Sequence, residues 1–167
     1  MTHPRILIAC IGNIFLGDDG FGTEVARRLA DHPLAPGVVL KDFGIRGIDL
    51  SYALLDSYEL VILVDACPRG GEPGTVYLIT PDPVESNFAA SVPASLDTHG
   101  MNPLNVLRAV KSMGGAQGRI LLVGCEPADL GGEDGRLGLS DPVYAAMDEA
   151  IAMIETLISQ EAVPQAQ

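Results

Sequence analysis

The chain has 167 residues, enough for one domain with a closed hydrophobic core, and 47% of them are apolar. Only 19% are charged, which excludes disorder for most of the length. Acids outnumber Lys plus Arg by 22 to 10, for a formal net charge of -12. That balance, with no basic patch against it, excludes nucleic acid and anionic membrane as partners.

Three cysteines, Cys10, Cys67 and Cys125, stand far apart with no C-x-x-C spacing, which argues against a disulfide framework and for a reducing compartment. The opening "MTHPRILIACIG" is too short an apolar run for a signal peptide or a membrane span. The expected location is the cytoplasm. A single domain over 1–160 is expected, with "EAVPQAQ" (161–167) as a flexible tail.

In chain order, "RILIACIG" (5–12) reads as a buried strand bounded by glycine. Residues 20–31 read as a helix, with Phe21, Val25 and Leu29 on one face. "GVVLKDFG" (37–44) is a second strand and "GIDLSYALLDSY" a short helix. "ELVILVDA" (59–66) is the most apolar strand and therefore the central one, because parallel strands covered on both faces read as continuous apolar runs. "GTVYLIT" (74–80) follows too soon for a parallel crossover, which needs about a dozen residues, and so runs antiparallel to its predecessor.

Residues 103–113 form a helix capped by Asn102, with Pro103 at its first position and Gly114 beyond its end. "RILLVGCEP" (119–127) is a further strand. A last helix begins near "SDPVYAAMDEAI", capped by Ser140 or Asp141. This order predicts a three-layer α/β/α domain on a mostly parallel, twisted five-stranded sheet with one antiparallel strand. In such sheets ligands bind outside the carboxyl ends of the strands.

Three side chains stand near that edge. Asp19, beside Asp18, follows the first strand by a short loop; Asp65 closes the central strand; His99 precedes the third long helix. Either acid of the Asp18–Asp19 pair could cap the first helix, leaving the other for the site. A carboxylate closing the most buried strand must be paired, solvated or liganded. Together the three offer two carboxylates and an imidazole, an open site for a divalent transition metal.

The glycines of "GNIFLGDDGFG" suggest a phosphate cradle, but the residues oppose it. Aligned on Gly12 and Gly17, the middle glycine of a dinucleotide loop is Ile14, and no G-K-[ST] follows. Two acids at the helix entrance would repel an anion. Asp42, at the end of the second strand, mimics a ribose-binding acid only weakly.

The blocks "ILIACIGNIFLGDDGFG", "LVILVDA", "DTHGMNPLNVL" and "LLVGCEP" occur in the order found in the hydrogenase maturation proteases, and from about residue 5 to 158 the chain resembles that family. The resemblance implies an endopeptidase that removes the carboxyl-terminal extension of the nickel-iron hydrogenase large-subunit precursor. It implies Asp19, Asp65 and His99 as contacts to nickel already inserted in that substrate, and no organic cofactor. Asp19 or Asp65 would also assist hydrolysis as general base. The family's D-G-G-T-x-G loop is here "DFGIRGIDL", where Gly44 and Gly47 remain and Ile45 and Arg46 replace smaller residues. Asn13, Gly44, Arg46 and Gly47 are the expected substrate-binding positions. Cys67 reads as a neighbouring thiol without a catalytic role. Two other readings stay open: a nickel-sensing chaperone that does not cut, and a nucleotide-dependent enzyme on a Rossmann-like sheet.

Overall fold

The computed structural model describes residues 2–82 and 102–163. Among these residues, five strands and four α-helices follow in the order β1 (Ile6–Ile11), α1 (Phe21–Leu29), β2 (Val38–Gly44), α2 (Gly47–Leu55), β3 (Leu60–Ala66), β4 (Val76–Ile79), α3 (Pro103–Ser112), β5 (Arg119–Cys125) and α4 (Asp141–Ala162). They form one sheet in the order β2-β1-β3-β5-β4. All neighbours are parallel except β4, which runs antiparallel against β5 with Leu78 opposite Val123. The most apolar strand is indeed the middle one. The short β4 is antiparallel as its brief connection requires, but it lies at the sheet edge, two places from the strand that precedes it.

Alternation along β1 explains its unbroken apolar sequence. Ile6, Ile8 and Cys10 enter the core shared with α1 and α4. Leu7, Ala9 and Ile11 enter the core shared with α2 and α3. Both faces are covered, so no position is left for a polar residue. Strand β3 repeats the pattern with Leu60, Ile62 and Val64 on one side and Val61 and Leu63 on the other. Each such buried aliphatic side chain is stabilised by about 1.5–3 kcal/mol relative to exposure.

The helices carry matching stripes. Phe21, Val25, Ala26 and Leu29 face the sheet from α1, and Val143, Met147, Ala150, Ile154 and Leu157 do so from α4. Asn102 caps α3 as expected, its Oδ1 accepting the Leu104 N–H at 3.0 Å. Helix α1 starts at the carboxyl ends of β1 and β3, and only glycine permits that approach. A Cβ on Gly22 would lie 2.1 Å from the Ile11 carbonyl oxygen and 2.4 Å from that of Val64.

The capping expectations are met only in part. Gly20 is the N-cap of α1 and no side chain caps it, so neither Asp18 nor Asp19 plays that part. Ser140 occupies the N-cap position of α4 without a side-chain capping bond. Its hydroxyl is engaged elsewhere, with Asp18.

Candidate active site

Strand β1 ends at Ile11, and the Gly12 N–H donates to the Gly44 carbonyl at 3.0 Å, tying its exit to that of β2. The chain then turns through a single 3-10 turn, Gly17–Gly20, before α1 begins. Gly17 takes φ +57°, where a side chain would be strained, and its Cβ would meet the Asp129 carbonyl oxygen at 2.6 Å. The glycines of this loop serve backbone packed on backbone. No phosphate is needed to account for them.

The two adjacent acids have different surroundings. Asp18 is completely buried. Its Oδ2 accepts from the Ala128 N–H at 2.8 Å, the Asp129 N–H at 2.9 Å and the Ser140 hydroxyl at 2.8 Å, while Oδ1 accepts from the Ser140 N–H at 2.7 Å. Asp19 is only partly buried. Among the described residues its carboxylate accepts one hydrogen bond, from the Asn13 N–H to Oδ2 at 3.0 Å.

Asp65 lies in β3 opposite Gly124 of β5, a neighbour that brings no side chain over it. Burial pushes its carboxyl well above the ordinary 3.8, and the charge of Asp19 pushes it further, partly offset by the Ala66 N–H. Burial also raises Asp19, against the lowering effect of the Asn13 N–H. The structure therefore brings Asp19 and Asp65 together at the carboxyl edge of the sheet, close enough for one charge to disfavour the other. His99 lies outside the described residues. Among those residues no group of three His, Cys, Asp or Glu side chains is placed to hold a metal ion.

The other sequence candidates lie in the loop after β1 and in the connection from β2 to α2. The Asn13 side-chain Oδ1 accepts the Phe15 N–H at 3.0 Å and shapes the loop. Gly44 takes φ +53° at the exit of β2, and Gly47 begins α2. Arg46 binds its own turn: Nε donates to the Phe43 carbonyl at 3.1 Å, a second nitrogen to the Asp42 carbonyl at 2.5 Å, and a third pairs with Asp49 at 3.3 Å. It borders an open groove of about 550 Å³ with Lys41, Asp42, Phe43 and Tyr52. Asp42 accepts from the Thr23 hydroxyl at 3.1 Å and the Gly44 N–H at 3.0 Å, a local structural role.

Cys10 and Cys125 are fully buried in the core. Cys67 is buried beside the site, and burial together with the charge of Asp65 pushes its thiol up to about 11. It is a neutral thiol at physiological pH, without the activation a nucleophile needs.

Glu126 was not singled out from the sequence. It is 5% exposed, and it accepts from the Arg69 N–H at 2.8 Å, the Gly70 N–H at 3.1 Å and the Tyr77 hydroxyl at 2.9 Å. It thereby holds the β3–β4 connection that follows Asp65. The signal was present in "LLVGCEP", an acid closing an apolar strand, as in "LVILVDA".

Comparison with known proteins bears on the fold and the family. Residues 23–157 match the family model described as hydrogenase maturation protease. The hydrogenase expression/formation protein HupD of Rhodobacter capsulatus is 34% identical over 149 residues, spanning 89% of this chain and 68% of that protein. A putative hydrogenase maturation protease of Methanocaldococcus jannaschii is 32% identical, spanning 92% of this chain and 96% of its own. Among solved structures, the hydrogenase maturating endopeptidase HybD from E. coli superposes with a TM-score of 0.74 at 25% identity, over 93% of both chains. A hydrogenase 2 maturation peptidase from a Thaumarchaeota archaeon gives 0.69 at 32% identity, over 93% of this chain and 98% of that one. With the family model matched over residues 23–157 and relatives above 30% identity along most of the chain, this chain belongs to the hydrogenase maturation protease family.

Proposed function

We propose that this endopeptidase removes the carboxyl-terminal extension of a nickel-iron hydrogenase large-subunit precursor, and does so only once the precursor carries nickel. Asp19, Asp65 and His99 contact that nickel, which arrives as part of the substrate. The observation that carries the reading is the Asp19–Asp65 pair. One carboxyl from the turn before α1 and one from the end of β3 interact at the sheet edge, each raised by burial, with Asp19 holding Asp65 higher still.

Such a pair is under-compensated in the free protein, and a divalent cation presented by a partner would relieve the repulsion between its members. Carboxylate oxygens suit a borderline divalent ion, and an imidazole would complete the set. A carboxyl raised from 3.8 is also a stronger base when ionised. With nickel engaged by one acid, the other takes a proton from the water that attacks the scissile carbonyl. The open groove at the exit of β2, lined by Arg46 with Lys41, Asp42 and Tyr52, supports that corner as the place where the precursor is read.

The test is the intact mass of a hydrogenase large-subunit precursor, prepared with and without nickel, after incubation with wild-type protein and with Asp19→Ala and Asp65→Ala. The expected result is loss of a carboxyl-terminal peptide from the loaded precursor with wild type alone. Cleavage of the nickel-free precursor at the same rate would sink the sensing role. Nickel-dependent association without any cleavage would favour a chaperone instead.

A further inference from the structure

Asp19 is carried by a loop, whereas Asp65 is held by the ladder of a central strand, opposite Gly124 of β5. A two-carboxylate site works only if the two keep a fixed spacing. Something must therefore reference the Asp19 loop to the sheet. The neighbouring Asp18 is the most fully committed polar side chain near the site, and neither hydrolysis nor metal contact uses it.

All four partners of its carboxylate come from the segment between β5 and α4. Ala128 and Asp129 follow the end of β5 by three and four residues, and Ser140 immediately precedes α4. Backbone bonds reinforce the contact: the Asp18 N–H donates to the Asp129 carbonyl and the Gly17 N–H to that of Arg136, both at 2.8 Å. The strand that fixes Asp65 thus also fixes Asp19, through Asp18. We infer that Asp18 is a positioning residue of the reaction, setting where the Asp19 carboxylate stands relative to Asp65.

The chemistry requires a carboxylate at this position. Four donors converge on two oxygens, so acceptor-only atoms are needed on both arms. Asparagine keeps the volume but turns an amide NH₂ toward at least one backbone N–H. The loop should then survive in outline while its register against β5 relaxes.

The inference rests on the reading of Asp19 given above, so the experiment has one arm that needs no substrate. The amide resonance of Asn13, whose N–H donates to Asp19, is followed in ¹⁵N-labelled wild type, Asp18→Asn and Ser140→Ala. A core substitution at Ile154, chosen to match the loss of melting temperature in Asp18→Asn, is the control. The second arm measures kcat and KM on nickel-loaded precursor, well below every variant's melting temperature.

Asp18→Asn should displace the Asn13 resonance and lower kcat on the order of 10- to 100-fold, with KM little changed, as expected for a misplaced reacting group. Ser140→Ala, which removes one donor and keeps its N–H, should shift both readouts in the same direction by less. The Ile154 control should leave both unchanged. An Asn13 resonance and kcat as in wild type would overturn the assignment. So would an equal loss of kcat in the control, or a change confined to KM, which would make the 128–140 segment a docking element. If wild type itself cleaves nothing, the proposed function fails, and the Asn13 resonance still decides the role of Asp18. If Asp18→Asn does not fold, Ser140→Ala decides by the same criteria.

Discussion

Asp18 and Asp19 are consecutive, yet they belong to different parts of the protein. The Asp18 carboxylate is completely buried under four donors from residues 128–140. That of Asp19 takes a single N–H among the described residues and raises the carboxyl of Asp65. A tight 3-10 turn makes this division possible, since successive side chains there point about 120° apart. Truncation should separate the two roles. Asp18→Ala leaves buried backbone N–H groups without acceptors and should cost about 3 kcal/mol or more. Asp19→Ala should cost little or nothing in stability while abolishing cleavage. Chemical denaturation of the two variants side by side checks this, and equal destabilisation would contradict it.

The Asp65 carboxyl gives a pH signature with a definite sign. Its folded-state pKa is raised above the ordinary 3.8, so the native state holds the proton more tightly than the unfolded chain. Between 3.8 and the raised value the native state binds more protons, and stability falls as pH rises through that window. Above it the full penalty of burying the charge remains. Asp65→Asn removes the titration and keeps the volume. In chelator-treated buffer the variant should match wild type in melting temperature below pH 3.8, where the carboxyl is protonated in the native and unfolded states alike. It should exceed wild type increasingly toward neutral pH, by a few degrees. A variant less stable than wild type at neutral pH would show that the carboxylate is compensated in the native state.

Much of this could be read from the sequence because burial leaves a periodic trace. Strands β1 and β3 are covered on both faces, so their unbroken apolar runs identified the middle of the sheet directly. The short connection between β3 and β4, nine residues from 67 to 75, settled the direction of β4 by chain length alone. What stayed hidden were contacts between segments distant in sequence. Nothing local in "GDDG" says that Asp18 is satisfied by Ala128, Asp129 and Ser140, more than a hundred residues away. Helix capping was one reading open for the pair because it is a familiar local use of an acid at a helix entrance. Glu126 was missed for the opposite reason: its signal was local and equal to that of Asp65, but no partner residue drew attention to it. Arg46 looked available in sequence because its acceptors are mainly backbone carbonyls, which every sequence has.

Cys67 lies two residues after Asp65 and is buried, with its thiol pushed up to about 11. Both facts oppose a nucleophilic role. Cys67→Ala should therefore cleave loaded precursor at close to the wild-type rate. The small cavity it leaves should cost roughly 1 kcal/mol of stability, about that of one or two buried methylene-sized groups. Alkylation by iodoacetamide at neutral pH should be slow in the native protein and fast after unfolding. A large loss of kcat with the fold intact would return the thiol to the reaction.

Gly22 tests the packing on which the whole site depends. Its absent side chain lets α1 rest on the carboxyl ends of β1 and β3, where a Cβ would lie 2.1 Å and 2.4 Å from the carbonyl oxygens of Ile11 and Val64. Both obstacles are backbone in the central strands, so neither can swing aside as a flexible side chain would. Gly22→Ala gains helix propensity of about 1 kcal/mol, and in an exposed helix that gain would prevail. Here the overpacking, typically about 1–3 kcal/mol and at the upper end against backbone, should outweigh it. The helix start would be lifted from the sheet, and the adjoining turn that bears Asp19 would move with it. The expected outcome is a lower melting temperature together with a cleavage rate reduced even where the variant is fully folded. Measuring both on the same preparation distinguishes the cases: a variant as stable as wild type would mean that α1 can shift without cost, and that its glycine is not what seats the Asp19 turn.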